Sequence, residues 1–167
     1  LRKMENHVIL CGYGRVGQEI SNQIKTQNIP IIVVESDEDR KKIAEENGLE
    51  VLCADATLDE TLKLAGLEKC KSLVVTLPND AANLYVVLSA KGIRSSIRVI
   101  ARAGTEEAAS KLRLAGASIV VSPYIAAGRA MASMALRPIA IDFLDLLAGS
   151  ECEIEEFELS NDISLFE

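Results

Sequence analysis

Three glycines near the start of the chain, Gly12-x-Gly14-x-x-Gly17, have the spacing of a loop that binds a diphosphate. An apolar strand pattern precedes them and a helical pattern follows, which is the context that this motif requires. Gly12 is expected to make the tight turn, Gly14 to let the backbone approach the diphosphate, and Gly17 to let helix and strand pack closely. The N–H groups that begin the helix would supply hydrogen-bond donors and partial positive charge. A glycine turn without a ligand is the alternative interpretation.

Two charged residues near this loop predict what it would bind. Glu35 ends the second predicted strand, where an acid is expected to accept the ribose hydroxyls of a bound dinucleotide. A 2′-phosphate would meet like charge there, which disfavours NADP, although Arg40 and Lys41 lie nearby in sequence. Arg15, inside the glycine motif, is interpreted as completing the phosphate site of its own chain or of a neighbour, or as simply solvated.

Two further strand ends are predicted to reach the same edge of the sheet. The stretch ADAT follows the third strand, and there Asp55 and Ala56 are expected to frame an adenine edge. An ordinary turn acid that caps the next helix is an equal alternative for Asp55. The stretch TLPND follows the fourth strand, in the second half of a nucleotide crevice, where Asn79 or Asp80 is expected to cap a helix.

Groups that could catalyse a reaction beside a bound cofactor are not evident. The single histidine, His7, begins the first strand, at the end of the sheet away from a crevice, and is interpreted as a strand-start residue. Tyr85 is followed four residues later by Ser89 rather than by lysine, so the Tyr-x-x-x-Lys pattern is missing. We therefore predict no catalytic residue and no enzyme activity. A cofactor fold without catalytic groups favours a sensor.

The composition excludes several other classes of protein. The 167 residues carry a net charge of −7, which argues against a nucleic-acid partner. The four cysteines form no Cys-x-x-Cys pair and cannot build a zinc site with one histidine, so no metal ligand is predicted. Cys11 and Cys53 lie in apolar runs and are interpreted as small core residues of a cytosolic protein. No signal peptide and no apolar run long enough to span a bilayer are visible.

Short β-branched runs alternate with amphipathic stretches along most of the chain. This alternation predicts an α/β fold, a doubly wound, six-stranded parallel sheet of Rossmann-like type, over residues 7–122. Gly48, Gly66 and Gly116 are predicted to end helices in the left-handed conformation, and Asp37 and Thr105 to cap them. The predicted strands are residues 7–11, 31–35, 50–53, 71–77, 97–101 and 118–122, and the predicted helices are residues 15–27, 37–47, 58–65, 79–91 and 105–115.

A different pattern follows the predicted sheet. Residues 123–138 read as a helix of small residues, and residues 139–149 as a second, strongly apolar helix, which we interpret together as a helix-turn-helix dimerisation element. The apolar helix at 139–149 needs a surface to pack against, which is either another subunit or the sheet of its own chain. Residues 150–167 look like the start of a C-terminal lobe, and residues 1–6 are interpreted as a linker.

Several short sequence stretches, among them HVILCGYGRVG, ADAT, VVTLPND and RVIARA, occur in the order that is typical of one family. With them the chain resembles the RCK, or TrkA-N, domain family, the cytosolic regulators of potassium channels and potassium-uptake systems. The most specific are LAGASIVVSP and the helix that follows it, and the resemblance covers residues 4–149. It implies homodimers that pair through the helices after the sixth strand and assemble into an octameric ring. The ring would sit in the cytoplasm at the inner face of the membrane, below a potassium-channel pore or the membrane subunit of a transporter. Residues 1–6 would be the linker from a pore helix. The regulatory ligand would be NAD(H), ADP, ATP or AMP.

The resemblance also assigns a nucleotide site and argues against a metal site. Family members with a calcium site carry acids where this chain has Thr76, Arg102 and Gly104, and some transporter regulators carry glutamate where it has Tyr124. Arg15 is implied as a phosphate contact that can cross the dimer interface, and Arg102 as a further one. The nucleotide-binding residues are predicted to be Gly12, Tyr13, Gly14, Arg15, Val16, Gly17, Glu35, Ser36, Asp55, Ala56, Thr76, Leu77 and Arg102.

Three functions remain open at the level of sequence. The first is a sensor domain in which a nucleotide changes the geometry of a domain dimer or ring and thereby gates potassium flux. The second is the N-terminal, NAD-binding half of an oxidoreductase. The third is an assembly module of a channel ring that binds no ligand.

Overall fold

The computed structural model describes residues 4–137, and the chain divides into two compact units, residues 1–126 and 127–167. The first unit contains a sheet with helices on both of its faces. The strands are β1 (Val8–Cys11), β2 (Ile31–Val34), β3 (Glu50–Leu52), β4 (Ser72–Val75), β5 (Val99–Arg102) and β6 (Ile119–Val121). The helices are α1 (Arg15–Thr26), α2 (Glu38–Glu46), α3 (Asp59–Leu64), α4 (Asp80–Ile93), α5 (Glu106–Leu114) and α6 (Pro123–Leu136).

The order of the strands determines where a ligand can bind. All neighbouring strands pair in parallel, in the order β3-β2-β1-β4-β5-β6. The order reverses between β1 and β4, whose last residues, Cys11 and Val75, lie opposite each other. In doubly wound sheets ligands bind outside the carboxyl ends of the strands at such a reversal. The predicted six-stranded, Rossmann-like sheet is confirmed.

Strands β1 to β5 contribute alternately to two apolar cores, one on each face of the sheet. Ile9 and Cys11 of β1 belong to the first core, and Val8 and Leu10 to the second. All four are buried, as expected for a parallel strand with helices on both sides. Helix residues that complete the first core include Leu62, Val86 and Leu112, and those that pack on the second include Ile20, Ile24 and Ala44.

The helix ends follow the sequence closely. The side chains of Asp37, Asn79 and Thr105 each cap the N-terminus of a helix. Each accepts a hydrogen bond from the backbone N–H group three residues later in the chain, a group that has no acceptor within the helix. Of the two candidates after β4, Asn79 is therefore the cap. Beyond the C-termini, Gly48, Gly66 and Gly116 have positive φ angles of 75°, 83° and 106°, which confirms the predicted left-handed ends.

The single histidine lies at the amino edge of the sheet. His7 directly precedes β1, is fully buried, and its Nε2 lies 2.8 Å from the Ala65 carbonyl oxygen. The backbone around it is tied to the turn before β4, because the Lys71 N–H donates to the His7 carbonyl oxygen at 2.7 Å. This confirms its interpretation as a strand-start residue.

The prediction that Cys53 is a core residue is wrong. Cys11 is buried, but Cys53 is exposed and its Sγ lies 3.3 Å from Glu38 Oε1. The physical reason is that β3 is an edge strand whose residues are only half-buried, and that it ends at Leu52, so Cys53 lies beyond the sheet. Burial raises the pKa of Cys11 to about 12 and that of Cys70 to about 11.

This difference predicts selective labelling of the thiols. In a Cys152→Ser background, iodoacetamide at pH 8 should modify Cys53 and leave Cys11 and Cys70 intact, because a thiol reacts as an accessible thiolate. The hydrogen bond to Glu38 raises the pKa of Cys53, so its labelling rate should still increase with pH above 8. Mass spectrometry of the intact protein counts the adducts. Adding Cys53→Ser should abolish native labelling, and a remaining adduct would contradict the structure.

Some of the predicted segments lie outside the described residues. The first of the two helices after the sheet is confirmed as α6, but the second, residues 139–149, lies outside, as do the predicted lobe at 150–167 and the first three residues of the linker. Among residues 4–137, no helix combines the length and the apolar character needed to cross a membrane.

Candidate functional site

A cleft of about 710 Å³ lies at the carboxyl edge of the sheet, where β1 and β4 end. Five connections contribute to it: the glycine loop, the residues after β2, the residues after β4, the end of β5 and the start of α6. Its lining residues are Gly12, Tyr13, Gly14, Arg15, Gln18, Glu35, Ser36, Asp37, Arg40, Ile43, Thr76, Leu77, Pro78, Arg102 and Tyr124. The edge of the sheet predicted from the sequence is therefore the one that carries the cleft.

Gly12 and Gly17 have the structural roles that their positions predict, and Gly14 leaves its backbone unobstructed. Gly12 has a φ of 94°, and a Cβ there would lie 3.0 Å from the Thr76 carbonyl oxygen. A Cβ at Gly17 would overlap the Gly12 carbonyl oxygen, so this glycine permits the close approach of α1 to the end of β1. At Gly14, by contrast, a Cβ would meet no atom within 4 Å. The backbone at Gly14 is thus exposed to the cleft and accessible to a ligand.

Main-chain donors fix the carboxylate of Glu35 beside this loop. Glu35 is only 5% exposed, its Oε2 accepts a hydrogen bond from the Tyr13 N–H at 2.8 Å, and its Oε1 accepts one from the Asp37 N–H at 2.9 Å. Arg40 Nη1 lies 3.8 Å from Oε2, with its side chain partly exposed. A carboxylate oxygen can accept more than one hydrogen bond, so Glu35 keeps acceptor capacity toward the cleft while its orientation is set by the backbone.

Tyr13 contributes its main chain rather than its ring to the cleft. Its side chain is fully buried in the second core, and its hydroxyl accepts a hydrogen bond from Asn47 Nδ2 at 3.1 Å, at the end of α2. The Tyr13 N–H is the donor to Glu35. Tyr13 therefore anchors the glycine loop to the layer of helices beneath it.

The opposite wall is tied to both β1 and β5. Thr76 Oγ1 lies 3.1 Å from the Cys11 carbonyl oxygen and 3.2 Å from that of Gly12, so it can donate to either. Asn83, fully buried, accepts from the Leu77 N–H at 2.9 Å, and its Nδ2 donates to the carbonyl oxygens of Leu77 and Arg102 at 2.9 and 3.1 Å. One amide side chain thus holds the loop after β4 against the end of β5.

The charge of the cleft differs in sign from that of the whole chain. Arg15, Arg40 and Arg102 all line it, against the acids Glu35 and Asp37. Asp37 Oδ1 is engaged as the helix cap, and Glu35 is held by main-chain N–H groups. Guanidinium groups around a loop of main-chain donors form an environment for an anion, above all for phosphate oxygens.

Most of the predicted binding residues converge on the cleft, and four do not. Gly17 and Val16 lie in the first turn of α1 without lining it, and Ala56 is buried after β3. Asp55 is exposed, and its Oδ1 accepts hydrogen bonds from the N–H and the hydroxyl of Thr57, at 2.9 and 2.7 Å. It behaves as a turn acid, although it is not the cap of α3. Its contact with a nucleotide stays a prediction.

Sequence reasoning missed several residues of the cleft. Gln18 lies one helical turn after Gly14, so helical periodicity could have identified it. Ile43 contributes an apolar surface from α2, and Tyr124 a ring from the start of α6. Ile43 belongs to no motif, and the resemblance predicts for Tyr124 only that a glutamate is missing there. The approach of both residues to the site follows from strand order. Within the described part of the chain, no cluster of three or more His, Cys, Asp or Glu side chains could hold a metal ion.

Comparison with known families identifies a matching domain. The model of the TrkA-N domain matches residues 8–123, which include the sheet and the cleft. Potassium channel protein 1 of Methanocaldococcus jannaschii is 38% identical over 157 residues, which are 93% of this chain and 47% of that protein. The chain spans about half the length of the curated relatives it matches first.

Solved structures share the same architecture. The TrkA-N domain of the inner membrane protein ybaL from Escherichia coli superposes with a TM-score of 0.75 at 31% identity, covering 79% of this chain and 98% of that one. The structure of GsuK bound to ADP superposes with a TM-score of 0.69 at 28% identity, covering 79% of this chain and 34% of that one.

Proposed function

The chain belongs to the TrkA-N domain family, and from this premise we propose that residues 7–122 sense an adenine nucleotide and regulate potassium flux. The observation that carries the proposal is the unobstructed backbone at Gly14 beside the buried, fixed carboxylate of Glu35. GsuK has been solved bound to ADP. We propose that this cleft accommodates the three parts of ADP, which are the adenine ring, the ribose and the diphosphate.

The proposed binding mode follows from the side chains and the main chain of the cleft. Helix α1 has Gly14 as its N-cap residue and no side-chain cap, so its first N–H groups can donate to phosphate oxygens. Glu35 accepts the ribose hydroxyls, and Arg15 and Arg102 contribute charge-assisted hydrogen bonds to phosphate. Ile43 supplies an apolar surface to the cleft. NAD(H), ATP and AMP share this adenosine phosphate unit and are alternative ligands of the same mode.

The proposed output is a change in the geometry of assembled domains. A ligand shifts the equilibrium between two geometries only as far as its affinity for them differs. A tenfold difference in affinity corresponds to about 1.4 kcal/mol per site. We place the pairing of two copies on α6, whose Met131, Met134 and Leu136 are exposed. In this proposal the pairs form an octameric ring at the cytoplasmic face of the membrane. The ring acts on a potassium-channel pore or on the membrane subunit of a transporter.

We propose no chemistry on the bound nucleotide in this cleft. The described lining of the cleft contains no histidine, lysine or cysteine. Among its tyrosines, Tyr13 directs its hydroxyl to Asn47, away from the cleft. These observations support a regulatory domain over the NAD-binding half of an oxidoreductase.

Calorimetric titration with ADP, of the full chain and of two arginine variants, tests the proposal. Arg15→Gln should weaken ADP binding about tenfold, the equivalent of about 1.4 kcal/mol, because one charge-assisted contact is lost. It should weaken binding of adenosine, which has no phosphate, much less. Arg98→Gln is the matched control, since Arg98 is exposed and precedes β5 at the opposite edge of the sheet. Equal effects of the two variants, or no ADP binding by the unmodified protein, would contradict the proposal.

A further inference from the structure

A contact at the mouth of the cleft joins the end of β5 to the first turn of α6. The guanidinium carbon of Arg102, the last residue of β5, lies 5.6 Å from the centroid of the Tyr124 ring. Tyr124 is the second residue of α6, and both residues line the cleft. A cation this close to an aromatic face is attracted to it electrostatically.

The backbone of Arg102 is fixed more firmly than its side chain. Its carbonyl oxygen accepts a hydrogen bond from Asn83 Nδ2 at 3.1 Å, and the Ala103 N–H that follows donates to the Val121 carbonyl oxygen at 2.9 Å. No ion pair within residues 4–137 involves Arg102. The guanidinium can therefore turn from the ring toward an anion in the cleft while β5 stays in place.

We propose that Tyr124 is a positioning residue that holds the Arg102 guanidinium until a nucleotide phosphate captures it, so that occupancy of the cleft is communicated to the first turn of α6. This inference rests on the proposed function and specifies its regulation. A charge-assisted hydrogen bond to phosphate is stronger than an exposed contact between a cation and a ring. The Arg102 guanidinium therefore leaves the ring and binds the phosphate, and Tyr124 loses its contact with Arg102.

The loss of that partner should be measurable in the helix that Tyr124 begins. The Ala126 N–H donates to the Ser122 carbonyl oxygen at 2.9 Å and closes the first turn of α6. Releasing Tyr124 removes a contact that restrains this turn. We expect ADP to accelerate hydrogen exchange at the Ala126 amide by about two- to fivefold, the range set by an exposed cation–ring contact. Adenosine, without a phosphate, should leave this exchange rate unchanged.

The test compares four forms of the full chain by ADP calorimetry and by hydrogen exchange at Ala126. Tyr124→Leu should bind ADP about two- to fivefold more tightly, because Arg102 no longer has to leave the ring. Its Ala126 amide should exchange rapidly without ligand and not respond to ADP. Tyr124→Phe keeps the ring and should behave as the unmodified protein. Tyr85→Leu is the matched control, since Tyr85 lies on α4 with a similar exposure, 60% against 64% for Tyr124.

The possible failures can be told apart. Weaker ADP binding by Tyr124→Leu would overturn the inference, because it would mean that the ring contacts the nucleotide directly. The inference also fails if Tyr124→Leu and Tyr85→Leu cannot be distinguished while the unmodified protein binds ADP. If the unmodified protein binds no ADP, the proposed function itself falls, and with it this inference.

Discussion

Gly14→Val is expected to abolish ADP binding while the domain remains folded. The backbone at Gly14 has a φ of −76°, which valine adopts without strain, and an added Cβ meets no atom within 4 Å. The valine side chain would instead fill the space in which a phosphate must approach the main-chain N–H groups. Hydrogen bonds to a charged group contribute about 1.5–3 kcal/mol each, so losing two of them weakens binding by roughly 100-fold or more.

A matched glycine separates this steric effect from a general cost of valine. Gly92, on the exposed side of α4 and away from the cleft, also has space for a Cβ. Gly92→Val should bind ADP as the unmodified protein does. Valine at the helix N-cap position of Gly14 costs about 1 kcal/mol, which lowers the melting temperature by about 2–4 °C. Normal ADP binding by Gly14→Val in calorimetry would show that the loop is not the site.

Local patterns in the sequence predict the fold because the relevant forces act over a few residues. The spacing of the three glycines, the caps Asp37 and Thr105, and the glycines that end helices depend on contacts within one turn of backbone. The alternation of strands and helices then restricts the connections to right-handed crossovers. The sheet and the edge that carries the cleft follow from these rules.

Residues whose role depends on strand order are harder to predict. The nucleotide contact of Asp55 stays a prediction, because Asp55 follows the edge strand β3, two positions from β1, where the order reverses. Neighbouring strands are about 4.8 Å apart, so Asp55 begins roughly 10 Å from the reversal. Tyr124 reaches the cleft from the first turn of α6, and no contact within its own turn of backbone places it there. Cys53 illustrates the same limit, since an apolar run at an edge strand does not guarantee burial.

Gly17→Ala is expected to destabilise the domain strongly, although it adds a single methyl group. The added Cβ would overlap the Gly12 carbonyl oxygen, which is backbone and cannot rotate away as a side chain would. Gly12 is itself held in place, because its N–H donates to the Val34 carbonyl oxygen at 2.9 Å. Relief of the overlap therefore requires α1 to move away from β1. We expect the free energy of unfolding to fall by about 3 kcal/mol, at the upper end for overpacked sites.

Gly14→Ala makes the same substitution three residues earlier, where the methyl group meets no atom within 4 Å. The decisive comparison is urea denaturation of both variants followed by circular dichroism. Gly17→Ala should lose roughly 6–12 °C in melting temperature as well, whereas Gly14→Ala should lose only about 2–4 °C, the cost of a poorer N-cap. Because Gly17 does not line the cleft, its loss of ADP binding should follow the unfolded fraction, unlike that of Gly14→Val. Equal stability of the two alanine variants would mean that α1 does not pack against the end of β1 through Gly17. The role of Gly17 in helix packing would then be contradicted.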